Sequence, residues 1–202
     1  MKVSPVEFGV ATFVLPGQST SGDQHLVCCK GDTILIAAAD GIGHGEQAAN
    51  AAKVAISVLE SAVEEPVISL LQLCHQRLRS TRGVVLSLAS IDTLHGMMTW
   101  LGVGNVRGIL LRAGNGMKKP QEELLLRGGV VGSQLPPLQA TVLPISWDDT
   151  LVFATDGLRG DFVQTLSARE SPQRAAERIL EQYGTATDDA LVLVARLARP
   201  QP

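Results

Sequence analysis

The 202-residue chain has few aromatic residues, only 3% of the total, and no cluster of basic residues. Because aromatic side chains are the surfaces on which single-stranded bases stack, their shortage argues against a protein that binds single strands. Lysine and arginine are spread along the chain and the formal net charge is −3, whereas nucleic-acid binders carry a basic patch or stripe. We therefore expect no nucleic-acid partner.

Cysteines and long apolar segments are also scarce. The three cysteines, Cys28, Cys29 and Cys74, are odd in number and lack the spacing of a zinc site. They lie in apolar runs, so we expect them in the core. No run approaches the roughly 18 apolar residues of a membrane span, and Glu7 interrupts the apolar stretch behind Lys2. The sequence predicts no disulfide framework, no membrane association and a cytoplasmic protein.

Apolar runs of strand length recur along the chain. Its length and its 45% hydrophobic content allow one sizeable core, which predicts a single domain over residues 1–202. Most links between the runs are too short to hold a crossover helix, so neighbouring strands are predicted to be antiparallel. The predicted strands are 6–14, 25–29, 33–39, 83–91, 96–104, 106–111, 140–145, 150–155 and 190–197.

Three further segments have the spacing and boundary signals of helices. Two of them, 46–63 and 67–80, lie together in the first half of the chain, with Pro66 as a break between them. The third is bounded by Ser171 as N-cap and Gly184 as the stop. Antiparallel strands with segregated helices predict an α+β fold in which sheets pack together and are covered by helices.

Acidic residues stand at the ends of several predicted strands. The segments TILIAAADGI and TLVFATDGL echo one another, and each places an aspartate, Asp40 or Asp156, just after a buried strand. Asp23 and the pair Asp188 and Asp189 stand instead just before strands. If the strands alternate in direction, the end of one lies beside the start of the next. Asp23, Asp40, Asp156 and Asp188 are then predicted to meet at one edge of the sheets.

Such a group of acids is typical of a metal site. Carboxylates held close together repel one another unless a cation lies between them, and all-oxygen ligands suit Mg²⁺ or Mn²⁺. Gly41 lets the backbone turn and approach closely, so that its carbonyl can be a further ligand. The helix from Glu46 presents free N–H groups to an anion. Asp-Gly is also a common turn dipeptide, so any one of these acids taken alone is more often a solvated turn residue.

Five segments carry these acids and glycines together: SGD (21–23), ADGIGHGEQA (39–48), GVGNVRGIL (102–110), FATDGL (153–158) and DDALVLVAR (188–196). In order and spacing they resemble the bacterial metal-dependent serine/threonine phosphatases of the PPM type, and within them the SpoIIE-like subgroup. The short layout is similar to that of the phosphatases that reset the stressosome. The resemblance implies an α-β-β-α sandwich of two antiparallel sheets flanked by helices.

The resemblance also implies two Mn²⁺ or Mg²⁺ ions and a role for each acid. Asp40 would bridge both metals and the Gly41 carbonyl would bind one of them. Asp156 and Asp188 would hold the other, and Asp23 would lie close by, through a water or beside a ligand. Two such metals activate a bridging water that attacks phosphorus in line, so no covalent phosphoenzyme is required.

The chain departs from many eukaryotic members of this group in two places. No arginine precedes Arg77, whereas those members have one near the chain start that grips the substrate phosphate. Ile42 stands where they have a histidine after the first Asp-Gly. Phosphate binding is therefore expected from the metals and loop amides alone. His44 would assist the leaving group or orient water, or else it is an exposed loop residue. The pair Arg82-Gly83 before a strand also resembles the SpoIIE-like subgroup, but we assign Arg82 no catalytic role.

The segment GVGNVRG resembles a dinucleotide-binding loop but lacks a following helix. We predict a tight hairpin instead. Asn105 and Arg107 within it either position the edge of the site or are structural.

The resemblance implies hydrolysis of phosphoserine or phosphothreonine on a protein partner. That partner would be a phosphorylated STAS-domain stressosome scaffold or antagonist, so that the enzyme resets a bacterial stress-response switch. Two alternatives stay open: a catalytically silent relative that only binds its partner, and a GHKL-type ATPase or kinase, whose pocket also contains D-x-G-x-G. The second requires a metal-binding asparagine on an earlier helix, whereas the first asparagine here is Asn50.

Overall fold

The computed structural model describes residues 4–113, 121–167 and 170–198. In these ranges the strands are β1 Val6–Phe13, β2 Asp23–Lys30, β3 Thr33–Gly41, β4 Val84–Asp92, β5 Met97–Val103, β6 Arg107–Leu111, β7 Gln121–Glu123, β8 Leu126–Arg127, β9 Thr141–Pro144, β10 Thr150–Ala154 and β11 Ala190–Leu197. The α-helices are α1 Glu46–Ser61, α2 Val67–Arg77 and α3 Pro172–Tyr183, and a 3-10 helix spans Gly160–Thr165. Among these described helices none is long and apolar enough to cross a membrane.

The strands form two sheets. Sheet A has the order β1-β11-β10-β6-β7, and sheet B has the order β2-β3-β4-β5-β8 with β9 also paired to β5. Neighbouring strands are antiparallel except for the short pair β5 and β8, which is parallel. The predicted α+β sandwich of two sheets flanked by helices is confirmed.

The side chains of β3 and β11 alternate between the core and the outer faces of the sheets, which gives four layers: helices, sheet B, sheet A and helix α3. On β3, Ile34 and Ile36 pack in the core between the two sheets, whereas Leu35 and Ala37 pack under α1 and α2 on the outer face of sheet B. On β11, alternate residues likewise divide between the central core and the outer face of sheet A, where α3 packs. Successive side chains of a strand point to opposite faces, so strands covered on both faces have continuous apolar runs.

Small residues let α1 lie close to sheet B. Five of its alanines are 0 or 1% exposed, because they face the strands beneath the helix. They are Ala48, Ala49, Ala51, Ala52 and Ala55. Helix α3 begins at Pro172 with Ser171 at the N-cap position and Gly184 at the C-cap, as predicted, although the Ser171 side chain makes no capping hydrogen bond.

Three local predictions are wrong or incomplete. The GVGNVRG segment is not a hairpin, because β5 belongs to sheet B and β6 to sheet A, so the loop between them crosses from one sheet to the other. Cys74 is buried, but Cys29 is exposed and Cys28 only half-buried, because β2 is an edge strand. The short strands β7 and β8 and the 3-10 helix were not predicted, since their polar sequences carry little periodicity.

Both glycines of the Asp-Gly pairs lie where backbones touch. A Cβ atom on Gly41 would stand 2.1 Å from the Ala48 carbonyl oxygen of α1, and a Cβ on Gly157 would stand 2.1 Å from the Asp189 carbonyl oxygen. No side chain fits at such a distance, so only glycine allows these close approaches. The Asp-Gly repeat in the sequence therefore reflects two places at which the chain packs without an intervening side chain.

We predict that Gly41→Ala and Gly157→Ala each lower the free energy of unfolding by about 3 kcal/mol, because the added methyl group must displace main chain. Gly128→Ala is the matched control, since a Cβ at Gly128 meets nothing within 4 Å. That variant should change stability by no more than about 0.5 kcal/mol. Urea unfolding measures the free energy of unfolding of each variant, and the comparison holds where the m-value is the same as in the native protein. Equal stability of all three variants would contradict the close packing of the two Asp-Gly turns.

Candidate metal centre

The strand register brings acids from both sheets to one edge. Asp23 at the start of β2 is directly opposite Asp40 near the end of β3. Asp156 follows β10 and Asp188 precedes β11, which are antiparallel neighbours in sheet A. A cleft of about 200 Å³ lies between the sheet ends. Its lining residues are Asp40, Ile42, Gly43, His44, Val85, Asn105, Asp156 and Asp188.

Asp23 lies next to this cleft and is almost fully buried. The residue is 3% exposed, and its carboxylate accepts a hydrogen bond of 2.8 Å from the Thr155 hydroxyl. The same hydroxyl accepts a hydrogen bond of 2.8 Å from the Leu191 amide of β11. Thr155 thus connects an acid of sheet B to two strands of sheet A. The role of Thr155 is not predicted from the sequence, in which its only signal is its position before Asp156 in FATDG.

The adjacent acids Asp188 and Asp189 have different environments. Asp189 is buried and accepts hydrogen bonds from the Gly22 amide at 2.6 Å and the Leu15 amide at 2.8 Å. It therefore fastens the loop before β2 to the start of β11. Asp188 is exposed to the cleft and accepts a hydrogen bond of 2.8 Å from the Asp189 amide. One acid holds the backbone in place, and the other is left available for a ligand.

Asn105 reaches the cleft from the loop that crosses between the sheets. Its side-chain amide donates a hydrogen bond of 2.7 Å to Asp156 Oδ2. Arg107 contacts other groups instead: it donates to the Gly160 carbonyl at 2.9 Å and lies 5.4 Å from the centre of the Phe162 ring. Of the two loop residues noted in the sequence, Asn105 orients an acid of the site and Arg107 has a structural role.

Burial and repulsion change the protonation of the acids. Burial first, and then the charges of Asp23, Asp156 and Asp188, raise the pKa of Asp40 to about 8. Burial likewise raises the pKa of Asp23 to about 7, and the hydrogen bond from Thr155 partly opposes that increase. Both carboxyls therefore retain protons near neutral pH unless positive charge is supplied.

The donor set suits a hard divalent cation. In the described ranges, no three acidic, histidine or cysteine side chains already stand in the mutual geometry of metal ligands. The acids of the cleft nevertheless offer oxygen donors, and their mutual repulsion is the electrostatic condition that a cation relieves. Oxygen donors of this kind select Mg²⁺ or Mn²⁺ over zinc or copper. Gly41 is buried at the end of β3 beside Asp40.

Other polar and titratable groups lie outside this donor set. His44 is exposed at the rim of the cleft. Asp149 is buried and accepts hydrogen bonds from Arg112 and from the Ala113 amide, so it has a structural role. Asp161 is exposed, 3.8 Å from Arg159. Burial raises the pKa of Cys74 to about 12, which keeps its thiol protonated.

The raised pKa values predict how the stability of the metal-free protein depends on pH. Asp23 and Asp40 have a reference pKa of 3.8 when unfolded and titrate at about 7 and about 8 when folded. The folded state thus binds more protons than the unfolded state in this interval. The free energy of unfolding should fall as pH rises from about 4 to about 8, by on the order of 1 kcal/mol per pH unit.

Urea unfolding with a chelator present, on the native protein and on Asp40→Asn, measures this effect. The lowered pKa of buried His25 acts in the opposite direction but is common to both proteins, so it cancels in their difference. The native protein should lose stability relative to the variant as pH rises, and Mg²⁺ or Mn²⁺ should restore it at pH 8. Parallel pH profiles for the two proteins would refute the prediction.

Comparison with known proteins agrees with the fold. Residues 30–198 match the protein family Stage II sporulation protein E (SpoIIE). Phosphoserine phosphatase RsbX of Bacillus subtilis (strain 168) is 31% identical over 94 residues, which are 46% of this chain and 47% of that protein. The match thus spans about half the length of this curated relative.

Two solved structures are similar over nearly the whole chain. One belongs to work described as "The bacterial stressosome: a modular system that has been adapted to control secondary messenger signaling". It is 31% identical with a TM-score of 0.86, over 96% of this chain and 100% of that chain. The other, RsbX in complex with magnesium, is 22% identical with a TM-score of 0.83, over 96% of each chain. The resemblance found in the sequence is confirmed, and this chain belongs to the SpoIIE family and has the fold of the PPM-type phosphatases.

Proposed function

We propose that this chain is a metal-dependent protein phosphatase that hydrolyses phosphoserine or phosphothreonine on a protein partner. The observation that carries the proposal is the cleft shared by Asp40, Asp156 and Asp188 at the edge of both sheets. Membership of the SpoIIE family and the similarity to a phosphoserine phosphatase support it. We propose the whole chain, residues 1–202, as one catalytic domain that acts in the cytoplasm.

In this proposal each acid has a separate task. Asp40 would hold both Mn²⁺ or Mg²⁺ ions, the Gly41 carbonyl would hold one of them, and Asp156 and Asp188 would hold the other. Asp23 lies beside Asp40 and raises the negative charge of the site. When bound, such a pair of ions supplies an activated water for in-line attack on phosphorus.

Neighbouring residues keep these groups in place. Thr155 holds the carboxylate of Asp23 by its hydrogen bond, and Asn105 fixes the orientation of Asp156. The free N–H groups at the start of α1 favour an anion near the loop that follows Asp40. We assign His44 to the leaving group, because it is exposed at the rim and lines the same cleft, where an alkoxide leaving a serine or threonine needs a proton.

For the substrate, we propose phosphorylated STAS-domain proteins of a stressosome. The similarity at 31% identity to a chain from a stressosome study and the similarity to RsbX support this choice. The cleft is small and open to solvent, which suits a phosphorylated side chain presented by a protein better than a large free metabolite. Dephosphorylation of such a partner would reset a stress-response switch.

The two alternatives receive less support. A GHKL-type nucleotide pocket requires an asparagine on a helix before the glycine motif, and in the described residues the first α-helix begins at Glu46, after that motif. A relative that only binds its partner would have no need of Asp40, Asp156 and Asp188 in one cleft, since their repulsion opposes folding.

The decisive experiment measures phosphate release from phosphorylated STAS-domain protein and from an aryl phosphate, with and without Mn²⁺. Asp40→Asn should lower kcat by at least about a thousandfold on both substrates, because bridging of the ions contributes several kcal/mol to transition-state stabilisation. Asp32→Asn is the matched control, since Asp32 is exposed at the opposite end of the same strand. It should keep native activity.

The outcomes separate the candidate functions. Hydrolysis of the aryl phosphate and of another phosphoprotein, but of no STAS-domain protein, would reject the stressosome substrate and keep the chemistry. Absence of Mn²⁺-dependent release from any substrate, with intact binding of the STAS-domain protein, would establish a binding-only protein.

Asn105 provides a separate prediction about metal affinity. Asn105→Ala removes the hydrogen bond to Asp156 and should raise the Mn²⁺ concentration needed for half-maximal activity by about 10- to 100-fold. At saturating Mn²⁺ the kcat should stay within a few-fold of native, because the variant keeps every proposed ligand. A titration of activity against Mn²⁺ gives both values. An unchanged titration curve would mean that this hydrogen bond does not position the ligand.

A further inference from the structure

One basic side chain lies at the margin of the acidic cleft. Arg82 stands two residues before β4, and β4 runs antiparallel to β3. The start of β4 is therefore beside the end of β3, where Asp40 lies. Topology thus brings an arginine from the turn after α2 to the loop that follows the first Asp-Gly.

Backbone contacts fix the position of this turn. The Ile42 amide donates a hydrogen bond of 3.1 Å to the Gly83 carbonyl, and the Thr81 hydroxyl accepts one of 3.0 Å from the Gly83 amide. Gly83 itself has a φ of +81°, a left-handed conformation in which side chains are strained. Arg82 therefore projects from a segment that is tied to the cleft loop on one side and to the preceding turn on the other.

The guanidinium lies against Gly43. Arg82 Nη1 is 2.7 Å from the position that a Cβ on Gly43 would occupy, and Gly43 lines the cleft with Asp40 and His44. Gly43 has a φ of +91°. The absence of a side chain at this residue thus leaves room for the guanidinium beside the cleft.

Arg82 differs from Arg107, which also lies near the cleft, because among the described residues Arg82 has no hydrogen-bond or ion-pair partner. Arg107 donates to the Gly160 carbonyl and forms an ion pair of 3.3 Å with Glu123. Arg82 is exposed, and among the described residues it has neither a hydrogen bond nor an ion pair. Its charge is not neutralised by the cleft acids, so its five N–H donors are available to an incoming anion.

We propose that Arg82 binds the phosphoryl group of the substrate at the rim of the cleft. A planar guanidinium matches two phosphate oxygens at once, which gives both affinity and orientation. The inference rests on the proposed phosphatase function and specifies how the substrate is held. It also supplies a protein cation for phosphate binding in a chain that has no arginine before Arg77.

The test uses the protein loaded with Mn²⁺ and compares Arg82→Ala, Arg82→Gln and Arg82→Lys with native protein. Arg79→Ala is the matched control, since Arg79 is an exposed arginine of the same turn. Steady-state kinetics on an aryl phosphate give KM and kcat, and calorimetric titration with inorganic phosphate measures binding without turnover. Thermal unfolding checks that each variant is folded, and the glutamine variant replaces the alanine variant if the latter is not.

Loss of the guanidinium should raise KM for the aryl phosphate and the Kd for inorganic phosphate by at least about tenfold, with a smaller change in kcat. Arg82→Lys should recover part of the loss, and Arg79→Ala should stay within about twofold of native. The Mn²⁺ concentration for half-maximal activity should not change, because Arg82 is no metal ligand.

Unchanged KM and Kd in folded Arg82→Ala and Arg82→Gln would overturn the inference. So would a loss confined to the phosphoprotein substrate, because Arg82 would then contact the partner protein and not the phosphoryl group. If native protein releases no phosphate but binds it, and Arg82→Ala does not, the phosphate site stands while the proposed phosphatase function fails. If native protein binds no phosphate with Mn²⁺ present, the inference fails whatever the activity.

Discussion

The repulsion among carboxylates at one edge of the sandwich is the constraint on which the rest of the site depends. Asp23 and Asp40 face each other across β2 and β3, and Asp156 and Asp188 approach from the other sheet. Left alone, these groups would separate or keep their protons, as the pKa of about 8 for Asp40 indicates. They stay together because each is attached to an element that cannot move independently. The apolar core between the sheets, which includes Ile36 and Phe153, fixes the distance between the strands that carry Asp23 and Asp40 and the strands next to Asp156 and Asp188.

Hydrogen bonds from polar side chains orient the carboxylates of the site. The core sets the separation of the sheets, but it does not orient a carboxylate at a strand end. Thr155 does this for Asp23, Asn105 does it for Asp156, and Asp189 anchors the loop that leads into β2. Each of these hydrogen bonds joins segments that are far apart in sequence. Gly41 and Gly157 also help to position the site, because the absence of a side chain lets α1 approach Gly41 and the start of β11 approach Gly157.

The sequence predicts the parts of this arrangement that follow from local pattern. Continuous apolar runs ending in Asp-Gly predict buried strands with an acid at the end, and antiparallel alternation predicts that Asp23 lies beside Asp40. Sheet membership does not follow from local pattern. The turn signal in GVGNVRG indicates a reversal but not that β5 and β6 belong to different sheets, which is why a hairpin was expected. The sequence likewise predicts no separate role for Thr155 or Asp189, because their partners are set by packing across the sandwich.

In the proposed phosphatase, the separation of charges within the site would also set the order of binding. An acidic cleft without cations repels a phosphoryl group, so substrate binding would become favourable only once bound metal offset the charges of Asp40 and its neighbours. A lysine or arginine side chain placed among these acids would form ion pairs with them and would compete with the metal. Arg82 avoids this, because it lies against Gly43 at the rim and, within the described residues, forms no ion pair. The glycine-rich loop thereby keeps the guanidinium of Arg82 apart from the acids, so that in the proposed function the acids would be available to the metal and the guanidinium to the phosphate.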